Sequence, residues 1–115
     1  MNSYSAPPRL VNKSWGYEKI YYNNIYCSKA LVINPGASTS NHYHPLKHET
    51  MVVTSGQALI EFNSNGNVTQ HFLQELDSVI IPPNTPHKIY NNSAANKLII
   101  MEASTPDNPQ DSIRM

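Results

Sequence analysis

Turn signals cut this chain into pieces too short for helices. Asn23-Asn24, Asn34-Pro35-Gly36, Pro45, Ser55-Gly56, Pro82-Pro83-Asn84 and Asn91-Asn92-Ser93 each end an apolar or aromatic run. Between them, residues 17–22, 26–33, 49–54, 57–62, 68–73, 78–81, 87–90 and 97–103 are rich in aromatic and β-branched side chains, which suit a pleated, half-buried strand. Residues 38–44 alternate loosely and predict a further strand. Residues 63–67, Asn-Ser-Asn-Gly-Asn, predict a hairpin loop. No window holds a helical period over ten or more residues. Short strands at regular spacing predict an all-β sandwich or barrel.

The 115 residues suffice for one domain. Residues 1–12, with Pro7-Pro8, predict an extended N-terminal arm, either mobile or laid as an edge strand on a neighbour. Residues 13–115 then form a single domain, ending in a polar tail over 104–115. A chain of this size buries roughly 65% of its unfolded surface and needs no disulfide. With Cys27 as its one cysteine it can make none within the chain, which fits a reducing compartment. Lys plus Arg number 8 and Asp plus Glu number 8, a balance without the electrostatic footprint of a nucleic-acid or anionic-membrane partner. Apolar runs such as Leu98-Ile99-Ile100-Met101 fall far short of the ~20 residues of a spanning helix. Residues 1–10 carry no secretory pattern. The expectation is a soluble cytoplasmic protein.

Three of the five histidines fall between positions 42 and 48. On a strand, His42 and His44 point to the same face, about 7 Å apart, and can converge on one ion. Glu49 opens the next strand. If that strand pairs antiparallel with the first, its carboxylate approaches the same point. His87 follows the rigid stretch Pro82-Pro83-Asn84-Thr85-Pro86 and is the fourth candidate. Three imidazoles and one carboxylate suit one divalent transition-metal ion (Zn, Mn, Fe, Ni, Co or Cu) better than Ca or Mg. Four protein donors leave one or two positions open for substrate or water.

These residues carry a resemblance. Gly36-x5-His42-x-His44-x4-Glu49-x6-Gly56 resembles the first motif of the cupin family at every fixed position. Pro82, Asn84, His87 and Asn91 resemble its second motif, with Leu76 and Asn84 standing where that motif has glycine. Asn84 tolerates a left-handed backbone nearly as well as glycine. Leu76 predicts a different turn. The flanks, Lys13-Ser14-Trp15-Gly16-Tyr17-Glu18 and Glu102-Ala103-Ser104-Thr105 with Asp107, Asp111, Ser112 and Arg114, resemble those of small cupins similar to type II mannose-6-phosphate isomerase. Those isomerase domains carry a His-Trp pair after the metal-binding Glu. Here Thr50-Met51 stand there, with one extra residue between His44 and Glu49.

The resemblance implies a double-stranded β-helix, or jelly-roll, cupin barrel with one interior metal held by His42, His44, Glu49 and His87. It implies a metal-dependent isomerase of a sugar or sugar phosphate. An Fe-dependent dioxygenase or a lyase is an alternative, and a non-catalytic sugar-binding or regulatory module is another, because fold does not fix function.

Glu102 sits in an apolar strand. If buried, its pKa should rise, which would suit a general acid or base. His48 beside Glu49 is a second candidate for proton transfer, although alternation from Glu49 points it outward. Lys29 either holds a substrate anion or is a surface lysine. Arg114 either binds phosphate or pairs with Asp107 or Asp111. His71 is expected on an exposed strand face. Open sheet edges, an N-terminal arm and tyrosine-rich early strands predict a homodimer.

Overall fold

The computed structural model describes residues 7–115. Residues 1–6 of the expected arm lie outside the described residues. Eleven strands follow in chain order: β1 Arg9–Lys13, β2 Gly16–Asn23, β3 Cys27–Ile33, β4 His42–Tyr43, β5 Glu49–Ser55, β6 Ala58–Ser64, β7 Asn67–Leu73, β8 Ser78–Ile81, β9 His87–Tyr90, β10 Leu98–Ser104 and β11 Ile113–Arg114, with one 3-10 turn at Pro109–Asp111. They build two antiparallel sheets, β1-β2-β3-β10-β5-β8 and β11-β4-β9-β6-β7. Among the described residues, no ladder joins the two sheets into one closed barrel. No helix among them is long and apolar enough to cross a membrane.

Period-two alternation aims one face of each strand at the space between the sheets. Leu31 and Ile33 from β3, Met51 and Val53 from β5, Ile60 from β6, Ile89 from β9, and Leu98 and Ile100 from β10 form the core there. On four strands the same inward face then changes character. Lys29 continues β3, Glu49 continues β5, His87 continues β9 and Glu102 continues β10, and all four are buried. The interior therefore has an apolar end and an ionic end. Positions 29 and 102 are direct partners in the β3–β10 ladder, which brings the polar ends level.

Three sequence expectations change. The arm does not lie free over residues 9–13. It is the edge strand of its own sheet, paired with β2 from Arg9↔Ile20 to Lys13↔Gly16. The strand expected over 38–44 shrinks to His42–Tyr43, preceded by a single bridge at Ser38. At Thr39 the hydroxyl accepts the Ile89 N–H, so a side chain replaces a ladder carbonyl and regular pairing breaks. Most consequentially, β5 does not pair with β4. The two strands belong to opposite sheets, and residues 45–48 cross between them.

Leu76 takes the left-handed backbone that glycine favours, with φ 72°, and Asn84 does the same with φ 61°. The Leu76 N–H still donates to Val53 O at 2.8 Å, and Asp77 closes the turn by accepting the Gln74 N–H. Because the Leu76 side chain is 83% exposed, its cost is the local backbone strain of roughly 1–2 kcal/mol rather than a clash. Gly56 allows no such exchange, since a Cβ there would lie 2.9 Å from Lys97 O.

Candidate metal centre

His42 and His87 face each other directly across the β4–β9 ladder, with ring centroids 4.5 Å apart. His44 sits at the end of β4, its ring 5.0 Å from His42 and 6.0 Å from His87. One ring nitrogen from each lies within 4.8 Å of the others. The three rings share an outer contact. Nδ1 of His42 meets Ser40 O at 2.9 Å, Nδ1 of His44 meets Asp111 O at 3.2 Å, and Nδ1 of His87 meets Thr85 O at 2.9 Å. A carbonyl only accepts, so each Nδ1 carries the proton and donates it. Each Nε2 is left as a lone pair, the arrangement that orients imidazoles for a metal. Burial, followed by neighbouring cationic or potentially cationic groups, pushes all three imidazoles below their ordinary pKa and keeps them neutral.

The donors that all lie within 4.8 Å of one another are His42, His44 and His87, and Glu49 approaches two of these rings from the opposite sheet. Its Oε1 lies 3.6 Å from His44 Nε2 and its Oε2 lies 3.6 Å from His87 Nε2. These separations are too long for hydrogen bonds. Glu49 Oε2 and His87 Nε2 are both buried and both lack a hydrogen-bond partner. With Glu49 ionised, these two atoms are acceptors facing each other without a hydrogen bond, a pairing a cation would satisfy, so the donors fit a metal ion.

Around the four runs a ring of buried charge. Lys47 Nζ contacts Glu102 Oε2 at 2.8 Å, Asp107 Oδ1 at 3.0 Å and Glu49 Oε1 at 3.3 Å. Lys29 Nζ contacts Glu18 Oε2 at 3.1 Å and Asp107 Oδ2 at 3.2 Å. The two ammonium groups face four carboxylates, Glu18, Glu49, Glu102 and Asp107. The groups line a cavity of about 180 Å³, to which Trp15, Lys13 and Arg114 also contribute. With Lys13 and Arg114, its four cationic side chains match its four carboxylates when all are ionised.

Burial alone should raise the Glu102 pKa. It pushes in that direction, but Lys29, Lys47 and Ser104 outweigh it and hold the carboxyl below its ordinary value. The raised carboxyl is Glu49. Burial first, then the charge of Glu102, lifts it to about 7 against the pull of Lys47. Lys29 does line the cavity, yet two carboxylates already hold its ammonium. Arg114 lines the cavity from β11. The acids expected to pair with it are engaged elsewhere: Asp107 holds both lysines, and Asp111 accepts the Leu46 N–H at 3.0 Å. His48 is exposed and does not line the cavity, because alternation runs buried Lys47, exposed His48, buried Glu49. His71 is exposed on β7 with its ring edge-on to Phe62.

Sequence reasoning missed Lys47. The signal was present, since Lys47 stands two residues before Glu49 and strand alternation extended backwards places it on the same face. Asn91 binds no ion. Its Nδ2 donates to Ile33 O and Asn96 O, tying β3 to the loop before β10.

Residues 30–102 match the family described as Cupin domain. The chain belongs to the cupin family. No curated protein matches its sequence. The cupin superposes on the capsular polysaccharide assembling protein CapF of Staphylococcus aureus with TM-score 0.85 at 20% identity, over 98% of this chain and 33% of that one. It superposes on oxalate decarboxylase of Bacillus subtilis with TM-score 0.82 at 15% identity, over 94% of this chain and 30% of that one. A recombinant oxalate oxidase gives TM-score 0.67 at 17% identity, over 74% of this chain and 44% of that one. This cupin therefore spans about a third of the length of the first two. At such identities the likeness establishes the fold alone.

Proposed function

We propose that this cupin holds one divalent transition-metal ion with His42, His44, Glu49 and His87 and isomerises a small sugar or sugar phosphate. The observation that carries the metal reading is the facing pair of partnerless buried acceptors, His87 Nε2 and Glu49 Oε2, at 3.6 Å. The donor chemistry suits Mn, Fe, Co, Ni or Zn, and the Bacillus subtilis oxalate decarboxylase has Mn(II) centres.

The substrate class rests on three supports. The flanking segments resemble those of type II mannose-6-phosphate isomerase. The cavity, about 180 Å³, suits a small polar ligand. Lys13 and Arg114 line that same cavity, where a phosphate could be held by Arg114's planar fork. When bound, the ion would act as a Lewis acid on two neighbouring substrate oxygens. The chain's own part is to move a proton between adjacent carbons. Glu102 is the candidate base by its place, buried on the cavity wall and ionised, although Lys29 and Lys47 lower its basicity as they hold it charged.

The test has two stages. Protein purified without a metal-binding tag should carry about one equivalent of transition metal by elemental mass spectrometry, lost in a His42→Ala, His87→Ala double variant. The loaded protein is then incubated in D2O with mannose 6-phosphate and other aldose–ketose pairs. Deuterium entering at the carbon beside the carbonyl supports isomerisation. Oxygen uptake or carbon dioxide release with small carboxylates, and none with sugars, would replace it with the dioxygenase or lyase reading. A homodimer, built through β1, β2 and their exposed Leu10, Tyr21 and Tyr22, belongs to the same proposal. A monomeric mass at micromolar concentration in light scattering would remove it.

A further inference from the structure

A second cavity lies at the other ends of the strands that carry the metal donors. β5 opens at Glu49 and leads to Gly56, β9 opens at His87 and leads to Asn91, and β10 sets out from Asn96 towards Glu102. Gly56, Asn91 and Asn96 line this second cavity, of about 590 Å³, which lies about 20 Å along β5 from Glu49 with the apolar core between. Its wall is fixed. Gly56 turns with φ 88°, so close to the next segment that a Cβ would lie 2.9 Å from Lys97 O. Asn91 Nδ2 donates to Asn96 O at 2.9 Å, and Ser93 Oγ accepts the Asn96 N–H at 3.0 Å. Gln74 is held through its backbone N–H, which donates to Asp77. Gln74 and Asn96 are thus tied down by backbone groups, and their side-chain amides line the cavity together with those of Gln57 and Asn92. Phe72 stands at the same place with its ring 74% exposed. It pairs with Leu59 across the β6–β7 ladder, and the neighbours Ala58 and Leu73 are buried, so alternation turns Phe72 and Leu59 outward.

We propose that this cavity is a second binding site, for a neutral saccharide. Each primary amide offers N–H donors and a carbonyl acceptor side by side, which matches neighbouring hydroxyls that both donate and accept. The Phe72 ring offers a flat apolar surface to the C–H face of a pyranose. Other ligand classes fit less well. No Lys, Arg or His lines the cavity, so a phosphate or carboxylate meets no countercharge there. The one ionisable group, Glu75, repels anions and accepts hydroxyl protons. A wholly apolar ligand would take the amides out of water without a partner. The site needs no metal and stands apart from the reading above.

The experiment titrates the ¹⁵N-labelled full chain with methyl α-glucopyranoside, methyl α-mannopyranoside, methyl β-galactopyranoside and maltose, and with inorganic phosphate as the anion, following side-chain amide signals by nuclear magnetic resonance. Saturable shifts of the Gln57, Gln74, Asn92 and Asn96 amides are expected with at least one saccharide and not with phosphate. Phe72→Ala should weaken that binding about tenfold, and Phe72→Tyr, which keeps the ring, should retain it. Thermal unfolding checks that each variant is folded. Should Phe72→Ala fail to fold, Gln74→Ala takes its place, with an expected loss of about fivefold. The proposal is overturned by the absence of a saturable shift with all of the saccharides, by shifts confined to the surroundings of His42 and His87, by a response to phosphate alone, or by undiminished affinity in the folded variant.

Discussion

Lys47 Nζ lies 2.8 Å from Glu102 Oε2, and that contact helps reverse what burial alone does to the carboxyl. Buried in an apolar strand without partners, Glu102 would be neutral at pH 7. Flanked by two lysines it is held as a carboxylate, and the raised pKa passes to Glu49.

If Glu102 moves the proton, Glu102→Gln should retain metal and lose at least 100-fold in turnover, in keeping with the usual weight of general acid–base catalysis. His48→Ala should leave both metal content and turnover unchanged, since that ring is exposed and outside the cavity. Steady-state kinetics with metal analysis on the two variants checks this. A loss of activity in His48→Ala would restore it as a candidate.

Burial and the charge of Glu102 lift Glu49 to about 7 in the metal-free protein, against 4.5 ordinarily. The folded state therefore keeps a proton that the unfolded chain releases. The resulting stability is fully present below pH 4.5 and is lost as pH rises through 7. Relative to Glu49→Gln, which cannot titrate there, the metal-free wild type should lose thermal stability across this window, and the comparison subtracts the histidines' opposite share. Metal binding expels the proton, so affinity measured by chelator competition should rise by up to about tenfold per pH unit below 7. Metal at 100 times its Kd should restore about 2.7 kcal/mol.

Burial pushes Asp107 upward, but Lys29 and Lys47 overcome it and hold the carboxyl down at about 2. Its contribution to stability is present above its ordinary 3.8 and is lost as pH falls through 2. Asp107→Asn should destabilise the protein by about 2 kcal/mol at pH 7, the scale of a hydrogen bond to a charged group. Urea unfolding of both proteins should give converging stabilities near pH 2. A constant gap down to that pH would show that the lysines do not act through charge.

Leu76→Gly should stabilise the protein. The side chain is exposed and lies outside the core, while its φ of 72° is strained for a leucine. The net gain should be about 1 kcal/mol, because glycine's greater unfolded-state freedom offsets part of the relief. A differential scanning measurement should show a rise of about 4 °C.

The sequence by itself determined the all-β class, most strand positions and the three histidines that cluster, because these depend on local matters: turn residues, period-two alternation and the chemistry of imidazole. It also showed Glu102 inside an apolar strand. Only the tertiary structure decided how these parts meet. Alternation places His42 and His44 on one face but says nothing about which strand lies opposite. Pairing is a long-range event, and here it puts His87 beside His42 while sending Glu49 to the other sheet. The same holds for charge. Lys47 in a loop, Lys29 in a strand and Asp107 in a polar tail each look like solvated groups in isolation. With Lys47 against Glu49 and Glu102, and Asp107 against both lysines, all at 2.8–3.3 Å, these charges decide which carboxyl ionises.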